Sequence, residues 1–370
     1  MVNPLLGVVF HWIGGLASAS FYVPYRGVRS WSWEVFWLTG GVFSWIVAPW
    51  LFASLQTQDL LGVLGGASPS TWFWCVFFGI LWGFGGLTFG LTLRFLGISL
   101  GTAVALGLTA AFGTLIPPLV SGEFFTSLLP STGGQIVLAG VFIALAGIAI
   151  VGMAGHAKER HQAAGDAPGS RPRDFRRGMA VAVFSGIMSS CFAYGLAAGE
   201  PIRQATLAAG TDPLSQGLPV LCIVLLGGFA TNALWCGYLI ARNRSAGQFV
   251  GGAAHDDGKV AEYQTMNSTS RPRKSPLARN YLLSALGGTI WYFQFFFYTM
   301  GESQMGAYGF SSWTLHMASI IIFATLWGLA LKEWRGAGRR ARTLLSTGLA
   351  VLIGSTAVIG WGNALSAGSL

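Results

Sequence analysis

The amino-acid sequence predicts an all-α polytopic membrane protein with ten transmembrane helices, and three observations lead to that prediction. Of the 370 residues, 53% are hydrophobic and only 9% are charged, whereas a soluble protein carries about a quarter charged residues. The apolar residues occur in blocks of about 20, the length that an α-helix needs to cross a bilayer core. The basic residues lie almost entirely in the connections between particular blocks.

Each apolar block predicts one helix. The first block contains LASAS (16–20), which is similar to a signal-peptide cleavage site, but no Lys or Arg precedes it. A signal peptide needs a basic first region, so we expect this block to remain as helix 1. The ten predicted helices are 4–22, 33–54, 71–93, 98–121, 134–153, 178–199, 216–241, 279–300, 309–332 and 343–364.

Basic residues predict the orientation of the helices. Of the 22 Lys and Arg residues, 21 lie in connections after odd-numbered helices, and Arg203 is the exception. Basic connections stay in the cytoplasm, so both termini are expected in the periplasm. The net charge of +9 then needs no nucleic-acid partner. Segments 154–177 and 242–278 are rich in Gly, Ser, Pro and charged residues. This composition predicts that both are flexible cytoplasmic loops.

The chain shows weak internal similarity between its two halves. GLASASFYV (15–23) matches GIMSSCFAY (186–194) at Gly, Ser and Phe, and WGFGGLTFGLTLRFLG (82–97) matches WYFQFFFYTMGESQMG (291–306) at Trp, Phe and Gly. Helix 1 thus pairs with helix 6, and helix 3 with helix 8. We expect a first five-helix repeat at 1–153 and a second at 178–370. Because five is odd, the second copy is inverted, as in transporters with a site near the membrane midplane.

Helix 8 carries polar groups inside an aromatic stretch. Trp291, Gln294 and Tyr298 follow one another at spacings that place them on one helical face. A ring, an amide and a phenol together suit a sugar, since binding sites combine apolar lining with a few polar groups. We therefore expect Gln294 to face a water-accessible cavity, with Trp82 at similar depth in the other half. The alternative is that Gln294 hydrogen-bonds a neighbouring helix.

Three ionisable residues are the candidates for carrying a coupling proton: His316 first, His11 second and Glu34 third. His11 on helix 1 and His316 on helix 9 lie about two turns inside the outward boundary, and imidazole titrates near neutral pH. Trp313 lies one turn from His316 and is expected beside a sugar. Glu34 begins helix 2 at the cytoplasmic side. The alternatives are histidines bonded between helices and a solvated carboxylate that the helix dipole favours.

No pattern predicts an enzyme, a cofactor or a metal site. The four cysteines are scattered without CxxC spacing, and there is no nucleotide loop, HExxH or GxSxG. We expect small buried cysteines, no obligatory protein partner, and the lipid bilayer as the surroundings.

Five stretches are similar to the L-rhamnose–proton symporter family, within the drug/metabolite transporter superfamily. They are distributed over nearly the whole chain, whereas the loop at 245–275 does not resemble the family. The stretches are HWIGGLASASFYVPYRGVRSWSWE (11–34), GLTLRFLGISLG (90–101), LGGTIWYFQFFFY (286–298), SWTLHM (312–317) and LKEWRGAGRR (331–340).

This resemblance implies uptake of L-rhamnose, a 6-deoxyhexose, together with a proton across a bacterial inner membrane. It also implies ten helices arranged as two inverted five-helix repeats. The alternatives are a uniporter or exchanger of another small sugar or metabolite, and a membrane receptor or structural protein that transports nothing.

Overall fold

The computed structural model describes residues 2–163, 175–252 and 276–368, which contain helices and no strand. Each predicted apolar block falls on one long helix, so the all-α class is confirmed. The long helices are α1 (Pro4–Ser20), α2 (Trp33–Gln56), α3 (Pro69–Leu96), α4 (Ile98–Ser121), α5 (Thr132–Ala163), α6 (Phe175–Ala198), α7 (Leu218–Arg242), α8 (Leu277–Ser303), α9 (Ser312–Ala330) and α10 (Arg339–Ser366).

Among the described residues, nine helical stretches are long and apolar enough to cross a membrane. They contain every long helix except α8, which has 27 residues. Helix α8 has a lower hydropathy because it contains Trp and Tyr rings and amide side chains. Eleven of its residues are buried. The polytopic class is therefore confirmed by nine helices, and α8 is the helix that carries the predicted sugar-binding face.

The predicted loop at 154–177 is shorter in the structure. Helix α5 continues to Ala163 and α6 begins at Phe175, so the prediction of loop at both ends of this segment is wrong. The reason is local, because AGHAKERHQA (154–163) is dominated by residues with high helix propensity. Residues 164–174 lie outside the described part of the chain.

In the second predicted loop, Ser245–Val250 forms a 3₁₀ helix, and residues 253–275 are likewise outside the described part.

The packing brings helices from the two halves of the chain into contact. Helix α1 lies against α8 and α9, while α6 lies against α3 and α4. Helix α7 contacts both α3 and α2, and α5 runs along α10. Helix α2 contains a π-helical turn at Phe43–Val47, a feature that often occurs at functional sites. This turn includes Trp45, which faces the interior.

Candidate functional site

Aromatic rings from three helices form a closed circuit in the interior, which we call the tryptophan cluster. Trp45, Trp82 and Trp291 lie near the middle of α2, α3 and α8, the depth at which transporter sites occur. The successive ring-centroid distances are 6.3 Å for Trp291–Trp37, 6.2 Å for Trp37–Trp45, 6.3 Å for Trp45–Trp82, 5.4 Å for Trp82–Phe295 and 6.3 Å for Phe295–Trp291.

Polar atoms beside this cluster are buried without a partner. The indole nitrogens of Trp45 and Trp291 and the amide nitrogen of Gln294 have no hydrogen-bond partner among the described residues. Gln294 is only 4% exposed, and leaving a buried donor unpaired costs about 1–3 kcal/mol. The amide nitrogen of Gln294 therefore makes no structural bond between helices, and these three donors are available to a ligand.

A second group, the histidine cluster, consists of His11, Tyr298 and His316. The Tyr298 ring centroid lies 5.3 Å from that of each imidazole, and the two imidazoles are 6.2 Å apart. All three side chains are buried. None of the four imidazole nitrogens has a hydrogen-bond partner among the described residues. The structure thus brings the two predicted histidines together, with the ring of Tyr298 packed against both.

Small residues on α1 allow the histidine cluster to form. A Cβ added at Gly14 would lie 3.0 Å from the carbonyl oxygen of Gln294 and 3.3 Å from the Cε1 atom of His316. The hydroxyl of Ser319 donates to the carbonyl oxygen of His11 at 2.8 Å. Close approach at these positions holds α1 between α8 and α9, which places His11 opposite His316.

Trp313 connects the two clusters but uses its polar atom elsewhere. Its indole nitrogen donates to the carbonyl oxygen of Thr109 at 2.9 Å. Its ring lies 5.6 Å from Tyr298 and 5.7 Å from Phe192, and Phe192 lies 4.6 Å from Phe295 of the tryptophan cluster. Trp313 therefore offers a ring face, but no free donor, to a ligand.

Glu34 lies apart from both clusters. Its carboxylate accepts hydrogen bonds from Nδ2 of Asn243 at 3.1 Å and from the hydroxyl of Ser245 at 2.9 Å. These partners follow α7, at the end of the bundle where α1 ends and α2 begins. The two histidines lie nearer the start of α1 and of α9. The structure therefore does not place Glu34 with the other residues predicted to carry the proton.

An internal ion pair between Arg203 and Glu302 was not predicted from the sequence. The Nη1 atom of Arg203 lies 3.3 Å from a carboxylate oxygen of Glu302, and the two side chains are 14% and 15% exposed. Glu302 follows Tyr298 by one helical turn on the same face of α8. Two signals pointed to this pair: Arg203 is the one basic residue away from the connections after odd-numbered helices, and Glu302 extends the polar stripe of α8.

Two cavities were found that the predicted site residues do not line. One, of about 140 Å³, is lined by residues of α4, α5 and α9 and by Trp334. The other, of about 550 Å³, lies along the first half of α3. Gln294 is 4% exposed and lines neither of these two cavities. Among the described residues there is no group of three metal-ligating side chains, and the four cysteines are free and buried.

Comparison with known proteins gives matches over almost the whole chain. Residues 1–365 match the family described as L-rhamnose-proton symport protein. A protein of Cronobacter sakazakii named L-rhamnose-proton symporter is 37% identical over 362 residues, which cover 97% of this chain and 98% of the relative. A protein of the same name from Salmonella gallinarum is 37% identical over 360 residues, covering 96% and 97%.

These matches cover the connections as well as the apolar blocks. The chain belongs to the L-rhamnose-proton symport protein family, a family of transporters rather than of enzymes, and is a multi-pass inner-membrane protein.

Proposed function

We propose that this protein takes up L-rhamnose together with a proton across the bacterial inner membrane by alternating access. The observation that carries the proposal is the adjacency of the two clusters. Rings with unpaired donors, which suit a sugar, lie beside two buried histidines, which suit a proton. The family match supports the same substrate pair.

The tryptophan cluster is the proposed sugar site. L-rhamnose has a methyl group and an apolar face that fit against rings, and its hydroxyls need a few placed polar partners. Trp291 and Trp82 both contact Phe295, so rings from both halves of the chain surround one location. Gln294 and the Trp291 indole supply donors there.

The histidine cluster is the proposed proton site. A symporter must link the two equilibria, so that proton binding changes sugar affinity and sugar binding changes proton affinity. Gln294 lies on the same face of α8 as Tyr298, and its backbone and His316 both lie against Gly14. The histidine cluster therefore lies within about one helical turn of the sugar site. A change in the charge of either histidine then changes the electrostatic potential at the sugar. Glu34 is a third proposed site, further away.

Packing supports ten helices in two inverted repeats. The sequence match pairs Phe21 with Phe192 and Trp291 with Trp82. Phe21 lies 4.0 Å from Trp291, between ring centroids, and Phe192 lies 5.0 Å from Trp82. Equivalent residues therefore make equivalent contacts, α1 with α8 and α6 with α3. We propose that α8 spans the membrane as the tenth helix and that both termini lie in the periplasm.

Uptake by the purified protein in proteoliposomes tests the proposal. With an inward proton gradient, labelled L-rhamnose should accumulate above its external concentration, and a protonophore should abolish the accumulation. Equilibration without accumulation would support a uniporter or exchanger. No protein-dependent entry of rhamnose, with a correctly oriented and folded protein, would contradict transport of this sugar.

A further inference from the structure

We infer that Glu302 is the periplasmic end of the proton path, with Arg203 as the cation that holds its charged form. This inference rests on the proposed proton symport and adds a residue that accepts the proton before the histidine cluster does. Its starting point is the internal ion pair at the end of α8.

Glu302 is placed between the outside and the histidine cluster. It lies at the last turn of α8, where the proposed orientation puts the periplasm, and Tyr298 lies one turn further in. Tyr298 contacts both imidazoles. The residue next to Glu302 is also near the cluster, since a Cβ added at Gly301 would lie 2.8 Å from Nε2 of His11.

The charged groups around Glu302 allow Arg203 to pair with either of two carboxylates. Arg203 lies 3.3 Å from Glu302 and 3.5 Å from Glu200, whose side chain is 51% exposed. Arg203 also donates to the carbonyl oxygen of Leu196 at 3.3 Å. One guanidinium is thus shared between an internal carboxylate and a surface carboxylate.

Binding of a proton to Glu302 would end its ion pair with Arg203 and still leave Arg203 paired with Glu200. An internal carboxylate is stable as an anion only while it is paired. When Glu302 accepts a proton it becomes a neutral acid, and Arg203 remains paired with Glu200. Glu302 then returns to the anion when it passes its proton inward to the histidine cluster, and Arg203 pairs with it again.

Three variants test this role in proteoliposomes, with two transport readouts. Counterflow exchanges labelled for unlabelled L-rhamnose without net proton movement, whereas gradient-driven uptake needs the proton. We expect Glu302→Gln to retain counterflow but to lower the initial rate of rhamnose-driven proton uptake by about tenfold or more, because proton transfer loses its positioned side chain. Glu302→Asp should restore part of that rate. Glu123→Gln, which removes an exposed carboxylate in the connection between α4 and α5, is the matched control and should keep the coupled rate.

The outcomes separate this inference from the proposed function. If Glu302→Gln takes up protons with rhamnose at the wild-type rate, Glu302 is not on the proton path. If counterflow and coupled uptake fall together in a folded Glu302→Gln protein, the ion pair is structural and the inference is also wrong. If the wild-type protein moves rhamnose without protons, the proposed symport itself is contradicted, independently of the results for the variants.

Discussion

The imidazole rings of His11 and His316 lie with their centroids 6.2 Å apart, although they belong to helices at opposite ends of the chain. Two positive charges at that separation repel each other by about 3 kcal/mol at an effective dielectric constant of about 20. The pair is therefore expected to hold one proton at a time. Such a pair suits coupled transport, because a single proton is bound and released in each cycle.

Replacing Gln294 with Leu should weaken rhamnose binding. The amide nitrogen has no protein partner among the described residues, so its loss removes a donor for the sugar and costs about 1–3 kcal/mol. That corresponds to roughly a 5- to 150-fold rise in Kd, since 1.4 kcal/mol is tenfold. Titration of the purified protein with labelled rhamnose measures it.

Asn363→Leu is the control for this variant, because Asn363 is a buried amide on α10 that bonds the hydroxyl of Ser311 at 3.1 Å. It should lower thermal stability and leave rhamnose affinity unchanged. Unchanged affinity in Gln294→Leu would place the sugar elsewhere.

Removing either central tryptophan should also weaken binding. Trp82→Ala and Trp291→Ala each take one ring from the tryptophan cluster, and aromatic truncation in a well-packed site costs about 2 kcal/mol or more. Trp235→Ala serves as the comparison, because Trp235 is on α7 and 44% exposed. Equal affinities in all three variants would contradict a sugar site within the cluster. The affinities are measured by equilibrium binding in detergent.

Glycine substitutions test the relation between the two repeats. The sequence match pairs Gly15 with Gly186, and a Cβ at either position would lie 2.6 Å from a neighbouring Cβ, that of Ser319 or of Leu108. Gly15→Ala and Gly186→Ala should each lower stability by about 1–3 kcal/mol through overpacking. At Gly237 no atom lies within 4 Å of an added Cβ, so Gly237→Ala should not destabilise. Thermal unfolding in detergent measures all three, and a Gly186→Ala protein as stable as Gly237→Ala would contradict equivalent packing.

The distribution of basic residues predicts the position of the C-terminus. Because 21 of the 22 Lys and Arg residues follow odd-numbered helices, a C-terminal reporter that is active only in the periplasm should give a signal. Reporters at 164–174 and 253–275 should give only cytoplasmic signals. A C-terminal reporter active only in the cytoplasm would reverse the proposed orientation.

The sequence was sufficient to predict the helices and the central polar residues. His11, His316 and Gln294 stand out because a polar group in an apolar block is costly and needs a reason. The contacts of Trp37 and Trp45 could not be predicted, since tryptophan also occurs at membrane interfaces and the π-helical turn of α2 has no sequence signature. The pair of Arg203 and Glu302 was missed because Glu302 lies in the last turn of α8 and Arg203 in the short helix Glu200–Ala208 after α6, places where charge is normally solvated.

Replacing the histidines tests coupling most directly. The measurement is the accumulation of labelled L-rhamnose in proteoliposomes under an inward proton gradient, made beside counterflow and beside rhamnose binding between about pH 6 and pH 8. His156→Gln is the matched control, because His156 is exposed in the last third of α5. We expect His316→Gln or His11→Gln to abolish accumulation, to retain counterflow and to lose the pH dependence of affinity, while His156→Gln behaves as wild type. Normal accumulation by both single variants would contradict a proton site at the histidine cluster, and Glu34→Gln would be the next variant to measure.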